Sequence, residues 1–121
     1  MEIRESAENY LETIMLLSKK NGSVRSVDIA GELGFSKASV SVAMKKLRDS
    51  ELISVNEDGL ITLTDKGKGV AEQVYERHST LYDWFVGMGV SENIAAADAC
   101  RIEHILHEET FVAIKRRVDE K

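Results

Sequence analysis

The chain contains no proline, so the residue that most reliably interrupts a helix is missing, and long helices with short connections are open to it. It contains one cysteine, Cys100, which excludes an internal disulfide and leaves a buried thiol, a metal ligand or a reactive group as its uses. Aromatic residues are scarce at 6%, so any core is chiefly aliphatic. No apolar run approaches the roughly 18 residues that cross a bilayer. The leading residues Met1-Glu2-Ile3-Arg4-Glu5 lack the basic-then-apolar order of a secretion signal, and the sequence therefore predicts a cytoplasmic chain without a membrane partner. No Ser-His-Asp order, phosphate loop or His-Glu-x-x-His motif is present, which argues against an enzyme. Positive charge is not in excess either: the net charge is −5, whereas a non-specific nucleic-acid binder is expected to be basic overall.

What is present is a chain of 121 residues with 43% hydrophobic and 31% charged content, enough for one compact unit or a small module fused to a helical extension. Its charge is unevenly spread. Between Ser36 and Arg48 stand Lys37, Lys45, Lys46 and Arg48 with no acid among them, while from Glu76 onward acids outnumber cations. A basic patch and an acidic region imply two regions with different work.

Hydrophobic spacing gives the elements. Ala7, Tyr10, Leu11, Ile14, Met15 and Leu17 recur at helical steps and predict a first amphipathic helix ending near Asn21-Gly22. A second is expected after Ser26, with Val27, Ile29, Ala30 and Leu33 as its stripe. Gly34 can take the positive φ of a sharp turn, and Ser36 is placed to cap a third helix from about Lys37 to Ser50, buried through Val40, Ala43, Met44 and Leu47. The period then changes. Ile53-Ser54-Val55 and Leu60-Ile61-Thr62-Leu63, joined across Asn56-Glu57-Asp58-Gly59, predict a short β-hairpin. Thr64 can cap a fourth helix that Gly87-Met88-Gly89 ends, Ser91 a fifth from Glu92 to roughly His107, and Phe111, Val112, Ile114 and Val118 suggest a short last helix.

Helix, glycine-containing turn, basic helix and hairpin, in that order, are the parts of a winged helix-turn-helix. Ser36, Lys37, Ser39 and Ser41 then stand at or near the leading end of the recognition helix, within reach of base edges or phosphates. Lys45 and Lys46 suit phosphate neutralisation, which supplies affinity rather than sequence choice. Val42 has no hydrogen-bonding group and can at most meet a thymine methyl. An isolated lysine pair is usually a solvated helix face; its place inside this pattern gives it the second reading.

The stretch Cys100-Arg101-Ile102-Glu103-His104 is the most informative. On a helix, residues three and four apart share a face, so Cys100, Glu103 and His104 offer thiolate, carboxylate and imidazole to one point. His78, on the preceding helix, is a candidate fourth donor, and Glu8, Asn9 and Glu12 can bring oxygens from the first helix. Glu8 and Glu12 are equally placed for a water-facing edge, and His107, one turn past His104, for an exposed or outer position.

The run Ala7-Glu8-Asn9-Tyr10-Leu11-Glu12-Thr13-Ile14, the helix-turn-helix with Val40-Ser41, and above all Asp98-Ala99-Cys100-Arg101-Ile102-Glu103-His104 resemble the iron- and manganese-dependent repressor family that includes the diphtheria toxin repressor and the manganese transport regulator. The likeness covers essentially the whole chain. It implies a mainly α fold: residues 1–72 a winged helix-turn-helix DNA-binding domain with a short hairpin wing, and residues 73–121 a helical metal-binding and dimerisation domain. It also implies a homodimer on palindromic double-stranded operator DNA, with metal fixing the two reading heads at the operator's spacing. By the resemblance, Cys100, Glu103 and His104 are the motif ligands, His78 is a ligand in both branches, and Glu12 is the glutamate of the manganese branch. Asn9 departs from the methionine or aspartate usual at its position. Tyr82 stands where the family often has a metal-binding glutamate and Ala96 where the iron branch has a histidine, so a second, ancillary site of the family's kind is not expected. Many iron-branch members continue into a third, SH3-like domain; this sequence stops at Lys121. The thiolate favours later metals and Glu12 with Glu103 gives hard oxygens, so the expected cofactor is Fe2+ with Mn2+ second, and Co2+, Ni2+ or Zn2+ as substitutes in vitro. The competing reading is a metal-independent winged-helix regulator that responds to another ligand.

Overall fold

The computed structural model describes residues 5–120. Residues 1–4, read above for the lack of an export signal, and Lys121, where the sequence stops, lie outside them. The elements follow in the order α1 (Glu5–Asn21), α2 (Ser26–Leu33), α3 (Lys37–Asp49), β1 (Ile53–Val55), β2 (Ile61–Leu63), α4 (Asp65–Gly87), α5 (Glu92–Ile102) and α6 (Glu108–Asp119). The chain divides into two compact units, residues 1–72 and 73–121, and α4 contributes to both.

In the first unit, α1, α2 and α3 pack with the hairpin around Leu11, Ile14, Val24, Ile29, Val40 and Leu52, all nearly or fully shielded from water. Burying each such aliphatic side chain stabilises the fold by about 1.5–3 kcal/mol, which is why the three- and four-residue spacing of apolar positions decides which helix faces turn inward. The turn between α2 and α3 depends on Gly34: at φ 71° it sends its N–H, and that of Phe35, back to the carbonyl of Ala30. The second helix begins at Ser26 itself, one residue earlier than expected, because the Asp28 carboxylate accepts from the N–H of Arg25 at 2.9 Å and closes the turn there.

β1 and β2 pair antiparallel in the register Ile53↔Leu63, Ser54↔Thr62, Val55↔Ile61. Asn56 closes the connection, its side-chain oxygen accepting from the N–H groups of Asp58 and Leu60, while Gly59 takes φ 81°. Arg25 donates from Nη1 to the Asp58 carbonyl and so ties the wing tip to the start of α2. Thr64 caps α4 as its position predicts, its Oγ1 accepting from the Gly67 N–H at 3.1 Å and donating to the Glu51 carbonyl at 2.7 Å.

In the second unit, Val74, Leu81, Ala95, Ala99 and Phe111 are buried. Two expectations need correction. Ser91 holds the backbone position of an N-cap and its carbonyl accepts from the Ala95 N–H, but its side chain makes no capping bond. The fifth helix stops at Ile102 rather than near His107: Glu103 keeps helical angles and bonds Ala99, after which the Ile105 and Leu106 N–H groups both turn to the Ile102 carbonyl. No glycine or proline marks this stop, and the turn that follows it is held by Arg77 of α4.

Candidate DNA-reading surface and metal centre

Ser36 takes the N-cap of α3 and its Oγ accepts from the Ser39 N–H at 3.1 Å while donating to the Ser39 hydroxyl at 2.9 Å. The oxygen of Ser36 is therefore occupied in starting the helix, and the Ser39 hydroxyl keeps its proton to offer outward. Lys37, Ser39, Ser41, Lys45 and Lys46 are all exposed, on the side away from buried Val40, Met44 and Leu47. A shallow depression of about 320 Å³ lies on this side, lined by Ser26, Ser41, Val42, Met44, Lys45, Arg48 and Val55. It thus joins the start of α2, the outer side of α3 and the first strand of the wing. Sequence reading placed Ser41 and Lys45 at this surface and counted Arg48 only as local charge. It gave no role to Ser26 or Val55, whose place depends on how the elements pack. Val42 is 57% exposed on α3, so no core contact explains its apolar side chain.

In the second unit the carboxylate of Glu103 is the only charged group among the described residues that is fully buried, at 1% exposure. His78 on α4 brings Nδ1 to 3.0 Å from its Oε2. His104, whose side chain is wholly enclosed, brings Nε2 to 3.2 Å from Oε1. That second approach lacks hydrogen-bond geometry, and Oε1 has no hydrogen-bond partner among the described residues. A buried carboxylate oxygen without a donor is costly, and a cation beside it, with two imidazoles converging on the same group, would remove the cost. The donor chemistry therefore fits a divalent transition metal.

The other predicted donors stand differently. Cys100 is exposed on α5, one helical turn before Glu103, and the Glu103 N–H to Ala99 bond preserves that offset although the helix ends between them. Glu8, Asn9 and Glu12 are partly buried on α1, in the first unit. His107 is exposed and fills the N-cap position of α6 without a side-chain bond. Tyr82 stacks on the His78 ring, centroids 6.5 Å apart and planes 12° from parallel, so the residue in the place of a family glutamate steadies an imidazole instead. Among the described residues, no group of three or more His, Cys, Asp or Glu side chains is arranged to hold a metal ion as it stands. His78 and His104 each approach Glu103 instead.

Sequence reasoning missed Arg77. It lies under the turn that carries Glu103 and His104, donating to the carbonyls of Glu103 and Leu106 and pairing with Glu108 at 3.0 Å. An arginine next to a candidate ligand is a signal in principle, but two of its acceptors are backbone groups that a sequence does not display.

Comparison with known proteins covers both units of the chain. Residues 2–60 match the model of the iron dependent repressor N-terminal DNA binding domain, and residues 64–120 that of the iron dependent repressor metal binding and dimerisation domain. The chain is 35% identical to the transcriptional regulator MntR of Escherichia coli over 112 residues, covering 93% of this chain and 72% of that one. An uncharacterised HTH-type transcriptional regulator of Methanocaldococcus jannaschii is 31% identical over 92% of this chain and 90% of its own. Among solved structures, a manganese-dependent transcriptional repressor in complex with manganese superposes with a TM-score of 0.86 at 24% identity, over 95% of this chain and 53% of that one. The IdeR of T. acidophilum gives 0.80 at 23% identity over 98% of this chain and 55% of that one. The chain thus spans about half the length of those two solved structures. With a winged reading unit, a helical unit that gathers imidazoles on a buried carboxylate, and these matches along its length, the chain belongs to the iron-dependent repressor family of metal-dependent, DNA-binding transcriptional regulators.

Proposed function

We propose that the chain is a homodimeric repressor whose grip on a palindromic operator is switched on by Fe2+, with Mn2+ the second choice, and that it works in the cytoplasm. The observation that carries the reading is the buried Glu103 carboxylate, with His78 and His104 on either side and Oε1 lacking a hydrogen bond. His78, Cys100, Glu103 and His104 would hold the ion from the second unit, and Glu12 and Asn9 on α1 would add oxygens from the reading unit. The bound ion supplies positive charge that offsets the carboxylates and lets donors from separate elements share one centre. Tyr82 holds the His78 ring in plane, and Glu103 holds the imidazoles near their coordinating positions before binding. Ser39, Ser41, Lys37, Lys45 and Lys46 contact DNA, Ser36 positions the helix that presents them, and the lysines neutralise phosphates. Sharing of donors between the first helix and the second unit would narrow the range of head separations to the one that meets two successive major grooves, which is a population shift.

The choice of Fe2+ rests on the Cys100 thiolate, a softer donor than manganese prefers. The manganese-dependent repressor on which the chain superposes keeps Mn2+ in the comparison. The direct test is a titration of chelator-treated protein with anaerobic Fe2+ and with Mn2+, alongside Cys100→Ala, following binding to a palindromic operator. Tightening by the unaltered chain and not by the variant supports the reading and ranks the ions.

A second reading is favoured by the approach of His78 and His104 to Glu103: a metal-independent winged-helix regulator in which this triple is a structural network. It predicts operator binding that chelator leaves unchanged.

A further inference from the structure

Arg77 directly precedes His78 on α4, and its guanidinium is committed to the segment that carries Glu103 and His104. Nη1 donates to the Glu103 carbonyl at 3.1 Å and to the Leu106 carbonyl at 2.8 Å. Nη2 donates to Glu108 Oε1 at 3.0 Å, and the guanidinium carbon lies 5.1 Å from the centre of the Phe111 ring. The side chain is only 13% exposed, and its Nε has no acceptor among the described residues.

The end of α5 creates the need for these bonds. The last carbonyls of a helix have no partner within it, and a chain that leaves the helix without a glycine cap must satisfy them otherwise. Here the Ile105 and Leu106 N–H groups both use the Ile102 carbonyl, and one guanidinium fork collects the carbonyls of residues 103 and 106 at the two ends of the turn. Glu103 is consequently gripped twice from neighbouring positions of α4, by Arg77 at its backbone and by His78 at its carboxylate. A lysine carries its charge as a point and does not reproduce a planar fork that reaches two carbonyls and a carboxylate at once.

We infer that Arg77 is a positioning residue of the metal centre: it fixes the turn 103–106 so that Glu103 and His104 present their donors to one point, and it touches no cation itself. The inference rests on the metal reading above and adds to it a residue that no ligand motif contains.

Co2+ is the probe for the test, because its absorption bands report the type and geometry of the surrounding donors. Four variants are compared with the unaltered chain: Arg77→Ala, Arg77→Lys, Glu108→Gln, which removes the ion pair and leaves the carbonyl bonds, and Leu81→Ala, which loosens the core of the second unit and leaves every polar partner of Arg77 in place. Arg77→Ala is expected to weaken Co2+ binding by about 10–100-fold, the range for groups that orient metal ligands, and to alter the absorption bands. Arg77→Lys should recover part of both losses, and Glu108→Gln should keep affinity and bands close to those of the unaltered chain. Leu81→Ala should melt earlier with its bands intact. A folded Arg77→Ala chain with unaltered affinity and bands overturns the inference, as does Leu81→Ala reproducing the same loss of Co2+ binding. Should Arg77→Ala fail to fold, Arg77→Lys decides alone, unchanged binding again overturning it. Failure of the unaltered chain to bind Co2+ overturns the metal reading itself and this inference with it, a result distinct from one in which the unaltered chain binds and the variants match it.

Discussion

Gly67 lies in the first turn of α4, and its missing side chain lets that helix start against the backbone of Leu52. A Cβ built there would stand 2.0 Å from the Leu52 carbonyl oxygen, a distance no relaxation of a flexible side chain can relieve because the obstacle is main chain. Gly67→Ala is therefore expected to lower stability by about 2–3 kcal/mol, the upper part of the usual overpacking range, read as an earlier midpoint in urea unfolding. An unchanged midpoint would mean that α4 can slide away from Leu52 at no cost. On the outer side of α3, Lys45 borders the depression shared with Ser41 and Arg48. Lys45→Ala should weaken binding to cognate and unrelated duplexes alike and lower the slope of log affinity against log salt by about one, since a phosphate contact releases a counterion but reads no base. Loss confined to the cognate duplex would make Lys45 a base reader. The lysines and serines of α3 were legible in the sequence because their helix is defined by its own local pattern; Arg77 was not, because its work is done on carbonyls of a segment far along the chain.

Among the elements, α3 ends in an unusual way for a residue with a side chain. Glu51 sits at φ 62°, its N–H bonding the Arg48 carbonyl, and the following Leu52 N–H reaches the Leu47 carbonyl. These two bonds form the Schellman arrangement, whose left-handed position glycine normally fills, and Leu47 with Leu52 supplies its apolar contact in the core. Glu51→Gly should raise the stability of the first unit by about 0.5–1 kcal/mol, because relief of the left-handed strain outweighs the added freedom of the unfolded chain. A drop in the unfolding midpoint would show that the Glu51 side chain has a role of its own. In the second unit, Lys115 on α6 is held 2.9 Å from Glu76 on α4. The hydrogen bond and charge of Glu76 raise the Lys115 pKa above the ordinary lysine value. A raised lysine contributes stability that is complete below its unfolded pKa and disappears as pH climbs through the folded one. Lys115→Met should accordingly cost little, as expected of an exposed pair, and that small cost should vanish in strongly alkaline solution and in high salt. A cost that persists in both conditions would point to packing rather than charge. Two starts were well read, Thr64 and Ser36 being caps at the places their sequence neighbours implied, whereas Ser91 makes no capping bond. The stop of α5 at Ile102 was not, since helix periodicity runs on through Leu106 while a distant guanidinium takes the carbonyls.

At the scale of the molecule, the net charge of −5 hides an arrangement in which the cations of α3 gather on an exposed helix face while acids outnumber cations from Glu76 onward. Such a chain approaches DNA through one surface, so its association should depend on which face is presented more than on its total charge. The order of elements and the family were legible in the sequence because hydrophobic spacing and the Cys100-to-His104 motif are both local. The meeting of His78 with Glu103 was foreshadowed only as a shared ligand chemistry, and the exposed position of Cys100 contrasts with the enclosed one of His104, though the two are a single turn apart. That contrast has a practical side. With one thiol in the whole chain, and that one open to solvent, an electrophile such as iodoacetamide has a single place to react, so its rate gauges Cys100 alone without any engineered label. If the thiolate binds the ion, saturating Co2+ will slow alkylation sharply; if the rate is the same with and without Co2+, Cys100 is a bystander and the coordination is built from imidazoles and oxygens.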